Sequence, residues 1–201
     1  MMNVIGLTGG IAAGKSTVSE ILSQLGAEII DADKVGHQIY LPGTEAWKDL
    51  INTFGEDILL PEKTINRPIL SKIVFADKKA LNKLNQIVHP RMYKKIEEEI
   101  EIIRARNNNT GVVVLDAAIL IEANWLPLVD QVWLVVAEHN VVLERLCKNK
   151  GFTQEHAKSR ISSQLNDEER RRYADIIIEN NRTLSEVREH VKEAWTELTG
   201  I

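Results

Sequence analysis

The sequence predicts an α/β fold in three layers, a parallel sheet between helices, with a helical insertion and a separate basic helical segment. Short apolar runs suited to strands buried on both faces alternate with segments of helical period. The first run leads through a glycine-rich turn into a helix. A long, mainly helical stretch separates the second run from the third.

Asn3 to Thr8 form the first strand, which ends at Gly9-Gly10. After Lys15, the apolar residues Val18, Ile21, Leu22 and Leu25 recur at helical spacing until Gly26 stops the helix. Ala27 to Ile30 read as the second strand, and Asp31-Ala32-Asp33 follows its carboxyl end. From about residue 34 to 110 the pattern is mainly helical, with breaks expected at Pro42-Gly43, Pro61, Pro68 and Pro90. The polar run Asn107 to Gly111 closes it. Val112 to Leu115 and Val132 to Val136 are the central strands. A basic helical region lies between about 140 and 172, then Asp175 to Ile178 give a last strand before a helix over about 183 to 198. Strands alternating with helices in this order imply a doubly wound sheet.

With 44% apolar and 27% charged residues, a chain of 201 residues can bury one substantial core, or a core with a satellite. Its 25 basic and 29 acidic residues give a net charge of -4, which disfavours gripping a nucleic-acid backbone. Cys147 is the single cysteine, so no intrachain disulfide or cysteine zinc cluster is possible, and a reducing cytoplasm fits. The start Met-Met-Asn-Val-Ile-Gly carries no basic leader and no long apolar segment, so neither signal peptide nor membrane span is expected. A cytoplasmic monomer or small homo-oligomer is the expectation.

The strongest local signal is Gly9-Gly10-Ile11-Ala12-Ala13-Gly14-Lys15-Ser16, a complete G-x-x-x-x-G-K-S between a strand and a helix. Glycines let consecutive backbone N–H groups turn inward on an anion, and the helix dipole adds positive potential. Gly10 to Thr17 are therefore the expected ATP-phosphate cradle. Lys15 neutralises the β- and γ-phosphates, and the Ser16 hydroxyl offers an oxygen ligand to Mg2+. The fold class becomes a P-loop NTPase-type three-layer α/β fold. A GTPase would carry an Asn/Thr-Lys-x-Asp segment near a late strand, and none is present. That favours a small-molecule kinase.

Taken together, Leu7 to Ile11, the P-loop, Ile30-Asp31-Ala32-Asp33, His89-Pro90, Leu120-Ile121-Glu122, Arg145, Arg160-Ile161 with Gln164, Ala174-Asp175 and Asn180-Asn181 resemble the dephospho-CoA kinase family over nearly the whole chain. The resemblance implies transfer of the ATP γ-phosphate to the 3'-hydroxyl of dephospho-CoA, the last step of coenzyme A synthesis. It also implies three regions: a nucleotide core (1–34, 111–141 and 174–201), a helical CoA-binding domain (35–110) and a lid (142–173) that excludes water.

Within that resemblance Asp33 is the candidate base for the acceptor hydroxyl, and Asp31 orients Mg2+ or water; helix capping is the plain alternative for the pair. Arg145 matches a lid arginine on the transferring phosphoryl group, against a solvated helix residue. Arg67 is a candidate for an acceptor phosphate. His89 belongs to the acceptor domain, in a binding or structural role. Arg160 and Arg170-Arg171-Arg172 are either phosphate contacts or soluble surface. Asp116, after a strand, either completes the metal shell or caps a turn.

Three positions depart from the family pattern. Ala12-Ala13 replaces the more usual Gly-Ser but leaves Gly14-Lys15-Ser16 intact. Ala118 stands where proline is usual, which leaves the path after the third strand open. Asn149-Lys150 replaces a typical Arg-Asp, so Lys148 or Lys150 would supply the charge of the missing second lid arginine. Two alternatives stay open at this point: another small-molecule P-loop kinase, acting on a nucleoside or nucleotide, or a non-catalytic ATP-binding switch.

Overall fold

The computed structural model describes residues 1–181 and 183–200, and the side chain of Lys150 lies outside the described part. The suggestion that Lys150 supplies a lid charge therefore falls outside it too.

Five strands form one sheet: β1 (Asn3–Gly9), β2 (Glu28–Asp31), β3 (Val112–Asp116), β4 (Gln131–Val136) and β5 (Ile176–Glu179), in the order β2-β3-β1-β4-β5. β1 pairs in parallel with both β3 and β4, and β4 pairs in parallel with β5. β1 is thus central, and a central parallel strand must be apolar on both faces. Ile5 and Leu7 are fully buried, as are Val114 of β3 and Trp133 and Val135 of β4.

The two helices that flank β1 and β5 in sequence, α1 (Lys15–Gln24) and α9 (Leu184–Thr199), close one apolar cluster with the sheet. Val18, Ile21 and Leu22 meet Val187, Val191 and Ala194 there. Each of the valine, leucine and isoleucine side chains contributes about 1.5–3 kcal/mol on full burial. This anchors both ends of the phosphate loop's surroundings, because α1 begins at the loop's lysine. Thr183 caps α9 in a reciprocal capping box with Glu186.

The described chain divides into two compact units, Met1–Ile30 with Ile102–Ile201, and Asp31–Glu101. The second unit holds α2 (Ala32–Ile39), α3 (Glu45–Phe54), α4 (Arg67–Ala76) and most of α5 (Lys78–Arg106). It has its own core of Leu50, Ile58, Ile65, Leu70 and Val74. In the first unit the basic segment folds as α6 (His139–Lys150), α7 (Gln154–Ser162) and α8 (Asp167–Arg171).

The break expected at Pro90 does not occur, since α5 runs through it as one helix of 29 residues. Val88, Met92, Ile96 and Ile100 are buried at four-residue intervals on both sides of Pro90. That continuous apolar stripe offsets the roughly 3 kcal/mol that an interior proline costs. Pro68, by contrast, sits in the first turn of α4, where its missing N–H costs nothing, and Asn66 caps that helix.

Candidate active site

The phosphate loop is the bend from β1 into α1. Gly14 precedes α1 with a φ of 103°, a left-handed conformation open to glycine. A Cβ there would also collide with the Asn180 side chain. Lys15 starts α1 and forms an ion pair with Asp116, the last residue of β3; both side chains are largely shielded from solvent. The strand register explains the meeting, since Leu7 of β1 is paired with Asp116. Ser16 is exposed on the first turn of α1, and Thr17 is half-buried. The Thr8 hydroxyl donates to the Ala118 carbonyl at 3.4 Å, so the chain after β3 stays against β1 without a proline.

Side chains from far along the chain surround the loop. Ile11 N–H donates to Gln164 Oε1 at 2.7 Å. Arg145 of α6 donates through Nη1 to the carbonyls of Ala12 (3.3 Å) and Ala13 (3.2 Å), and through Nη2 to Asn180 O and Oδ1. A cavity of about 380 Å³ opens at the loop, lined by Gly10, Ile11, Ala13, His139, Gln164 and Arg170 among others. Arg170 is 1% exposed, the one cation in the fully buried part of the described core. It pairs with Glu122 at 3.0 Å and with Asp167 at 3.6 Å. Arg171 and Arg172 are exposed, as is Arg160, so the basic run divides into one buried member and an outer face.

In the helical unit, Asp31 Oδ1 accepts from Asp33 N–H at 3.0 Å and Lys34 N–H at 3.2 Å, which makes Asp31 the cap of α2. Capping therefore falls to Asp31 and leaves the Asp33 carboxylate on the first turn. Burial pushes the Tyr40 phenol above its ordinary pKa; the Arg67 charge opposes this and the Asp33 charge adds to it. Tyr40 thus reports Asp33 and Arg67 in one electrostatic neighbourhood. Half-buried His89 lies on α5, and desolvation holds its imidazole below the ordinary value.

Sequence reasoning gave no role to Tyr40, Gln164 or Asn180 and did not separate Arg170 from its neighbours. A polar residue directly after a buried strand was a usable signal for Asn180. Gln164 stood in the Arg160-Ile161 segment of the family resemblance without a role, and for Tyr40 no local pattern exists.

Hard oxygen donors suit Mg2+, which keeps several waters and takes few protein ligands. The Ser16 hydroxyl and the Asp116 carboxylate are of that kind. Among the described residues no group of three or more His, Cys, Asp or Glu side chains is placed to hold a metal.

A family model described as dephospho-CoA kinase matches residues 3–186. The dephospho-CoA kinase of Geobacter sulfurreducens is 40% identical over 194 residues, covering 96% of this chain and 98% of that protein. The solved dephospho-CoA kinase from Campylobacter jejuni superposes with a TM-score of 0.75 at 30% identity, covering 100% of this chain and 98% of that one. A shikimate kinase from Bacteroides thetaiotaomicron, 13% identical with a TM-score of 0.56 over 99% of both chains, shares the fold alone. The chain belongs to the dephospho-CoA kinase family.

Proposed function

We propose that this chain transfers the γ-phosphate of ATP to the 3'-hydroxyl of dephospho-CoA, giving coenzyme A and ADP. The observation that carries this is an intact phosphate loop in a chain matched to that family over residues 3–186. An oxygen–phosphorus bond forms from the acceptor hydroxyl as the bond between the β–γ bridging oxygen and the γ-phosphorus breaks, and the hydroxyl proton goes to Asp33.

The loop amides and Lys15 hold the phosphates. Lys15 has to exchange its Asp116 partner for phosphate oxygens, and the Asp116 carboxylate and the Ser16 hydroxyl would then be the groups to hold Mg2+. The metal, when bound, neutralises charge on the phosphate oxygens. Arg145 serves transfer through the loop whose carbonyls it holds. Arg67, next to Tyr40 and Asp33, takes an acceptor phosphate, and His89 belongs to the same acceptor-binding unit. The segment 142–173 acts as the lid, and closure excludes water as a competing acceptor. Among the described residues no helix is long and apolar enough to cross a membrane, and the substrate is a small molecule. We place the reaction in the cytoplasm, in a monomer or small homo-oligomer.

An ADP-release assay with dephospho-CoA, nucleosides and nucleoside monophosphates as separate acceptors tests the reading. Turnover is expected with dephospho-CoA only. Faster turnover with a nucleoside or nucleotide would transfer the chain to another acceptor class.

A further inference from the structure

The backbone of a phosphate loop has two sides. Consecutive N–H groups converge on the anion, so the carbonyls of the same peptide units face away from it. Carbonyls turned into protein need donors. Ala13 is 3% exposed, and its carbonyl receives two: Asn180 Nδ2 at 2.7 Å and Arg145 Nη1 at 3.2 Å. The Ala12 carbonyl receives Arg145 Nη1 at 3.3 Å.

Asn180 is itself 7% exposed and locked in place. Its backbone N–H donates to Val136 O at 2.8 Å, which fixes it at the ends of β4 and β5. Its Oδ1 accepts from Arg145 Nη2 at 3.2 Å, so the amide orientation is determined: the nitrogen must face Ala13. Gly14 belongs to the same arrangement, because any Cβ there would collide with Asn180 Nδ2. A donor on the Ala12 carbonyl polarises the N–H of Ala13 in the same peptide unit, and one on the Ala13 carbonyl does so for Gly14.

We infer that Asn180 is a positioning residue for the nucleotide phosphates, holding the phosphate loop in its anion-binding curl from the carbonyl side. It touches neither substrate and acts through Ala13 and Gly14. Arg145 orients it. This inference rests on the ATP-dependent reading above and is separable from the choice of acceptor.

Asn180→Asp and Asn180→Ala test it. The aspartate keeps the size and the acceptor for Arg145 but sets an anionic oxygen against the Ala13 carbonyl; the alanine deletes the donor. Calorimetric binding of MgATP, the KM values for ATP and dephospho-CoA, and thermal melts are measured for all three proteins. MgATP binding and the ATP KM are expected to weaken by about tenfold in both variants, the scale of a buried carbonyl losing the shorter of its two hydrogen bonds, with aspartate the worse. The dephospho-CoA KM is expected to stay within about twofold, a split that a merely structural defect would not produce. A folded variant that binds MgATP within about twofold of wild type overturns the inference, as does a parallel rise of both KM values. If Asn180→Asp does not fold, the alanine variant decides by the same criteria. Should the wild type bind MgATP yet leave dephospho-CoA unphosphorylated, the acceptor reading fails, and the ratio of MgATP affinities still decides the role of Asn180.

Discussion

The phosphate loop and the acceptor-side groups of the helical unit are built on opposite principles. Around the loop, backbone groups are matched to side chains drawn from α6, the segment before α8 and the end of β5, and Lys15 already has a counter-charge in Asp116 of β3. In the helical unit, the candidate acceptor groups Asp33 and Arg67 sit in the first turns of short helices, capped by Asp31 and Asn66. Their core is a small cluster around Leu50 and Ile58. A phosphate site gains from preorganisation, because its dipoles must point at the anion before it arrives. An acceptor site for a long flexible molecule gains more from groups free to close on it.

The contrast predicts different kinetic signatures. The largest effect belongs to Lys15→Ala, which removes the cation proposed to face the transferred phosphate. kcat is expected to fall by about a thousandfold or more, the scale for a lost phosphoryl-stabilising cation. Circular dichroism should show the fold intact. Near wild-type turnover in a folded variant would contradict the assignment of the loop.

Asp33→Asn comes next and sets the helical unit against the loop. Asparagine keeps the size and local hydrogen bonding but takes no proton. A kcat loss of about 100-fold is expected, the low end for a general base, since a loose transition state delays the proton transfer. ATP affinity should hold within about threefold, unlike in any loop variant. A kcat loss below about threefold would remove Asp33 as the base and make Asp31 the next candidate, despite its cap.

The phosphate loop was legible in the sequence because its chemistry is contiguous: glycines, lysine and serine at fixed spacing between a strand and a helix. The strands were legible because burial on both faces writes continuous apolar runs, as in Val112 to Leu115 and Val132 to Val136. The loop's supports were not. Asn180 and Ala13 lie 167 residues apart, and Ile11 and Gln164 lie 153 apart, so only the order β2-β3-β1-β4-β5 brings them together. Pro90 was misread for a related reason: the local cost of proline is visible in sequence, whereas the apolar stripe from Val88 to Ile100 that outweighs it works through tertiary packing. The capping alternative covered both Asp31 and Asp33 until geometry gave the cap to Asp31.

The smallest effect sharpens the comparison at its least symmetric point, the buried Arg170. Its side chain is 2% exposed, while its partners Glu122 and Asp167 are 31% and 42% exposed. Removing a fully enclosed cation from enclosed acids costs about 3–5 kcal/mol. Here both acids reach water and rehydrate once the guanidinium is gone, which lowers the expected cost of Arg170→Met to about 2 kcal/mol. For a chain of this size that corresponds to a Tm lower by about 4–8 °C. The methionine fills most of the arginine's volume, so the loss reports charge and hydrogen bonding, less the relief of removing the buried Nε that finds no partner among the described residues. Adding Glu122→Gln to the methionine variant should restore about half of the loss, because the acid no longer faces the apolar replacement. Thermal melts of the two single variants and the double variant measure the coupling. If Arg170→Met melts within about 1 °C of wild type, the ion pairs add nothing to the fold. Arg170 would then owe its burial to the cavity at Gly10 rather than to the acids that hold it.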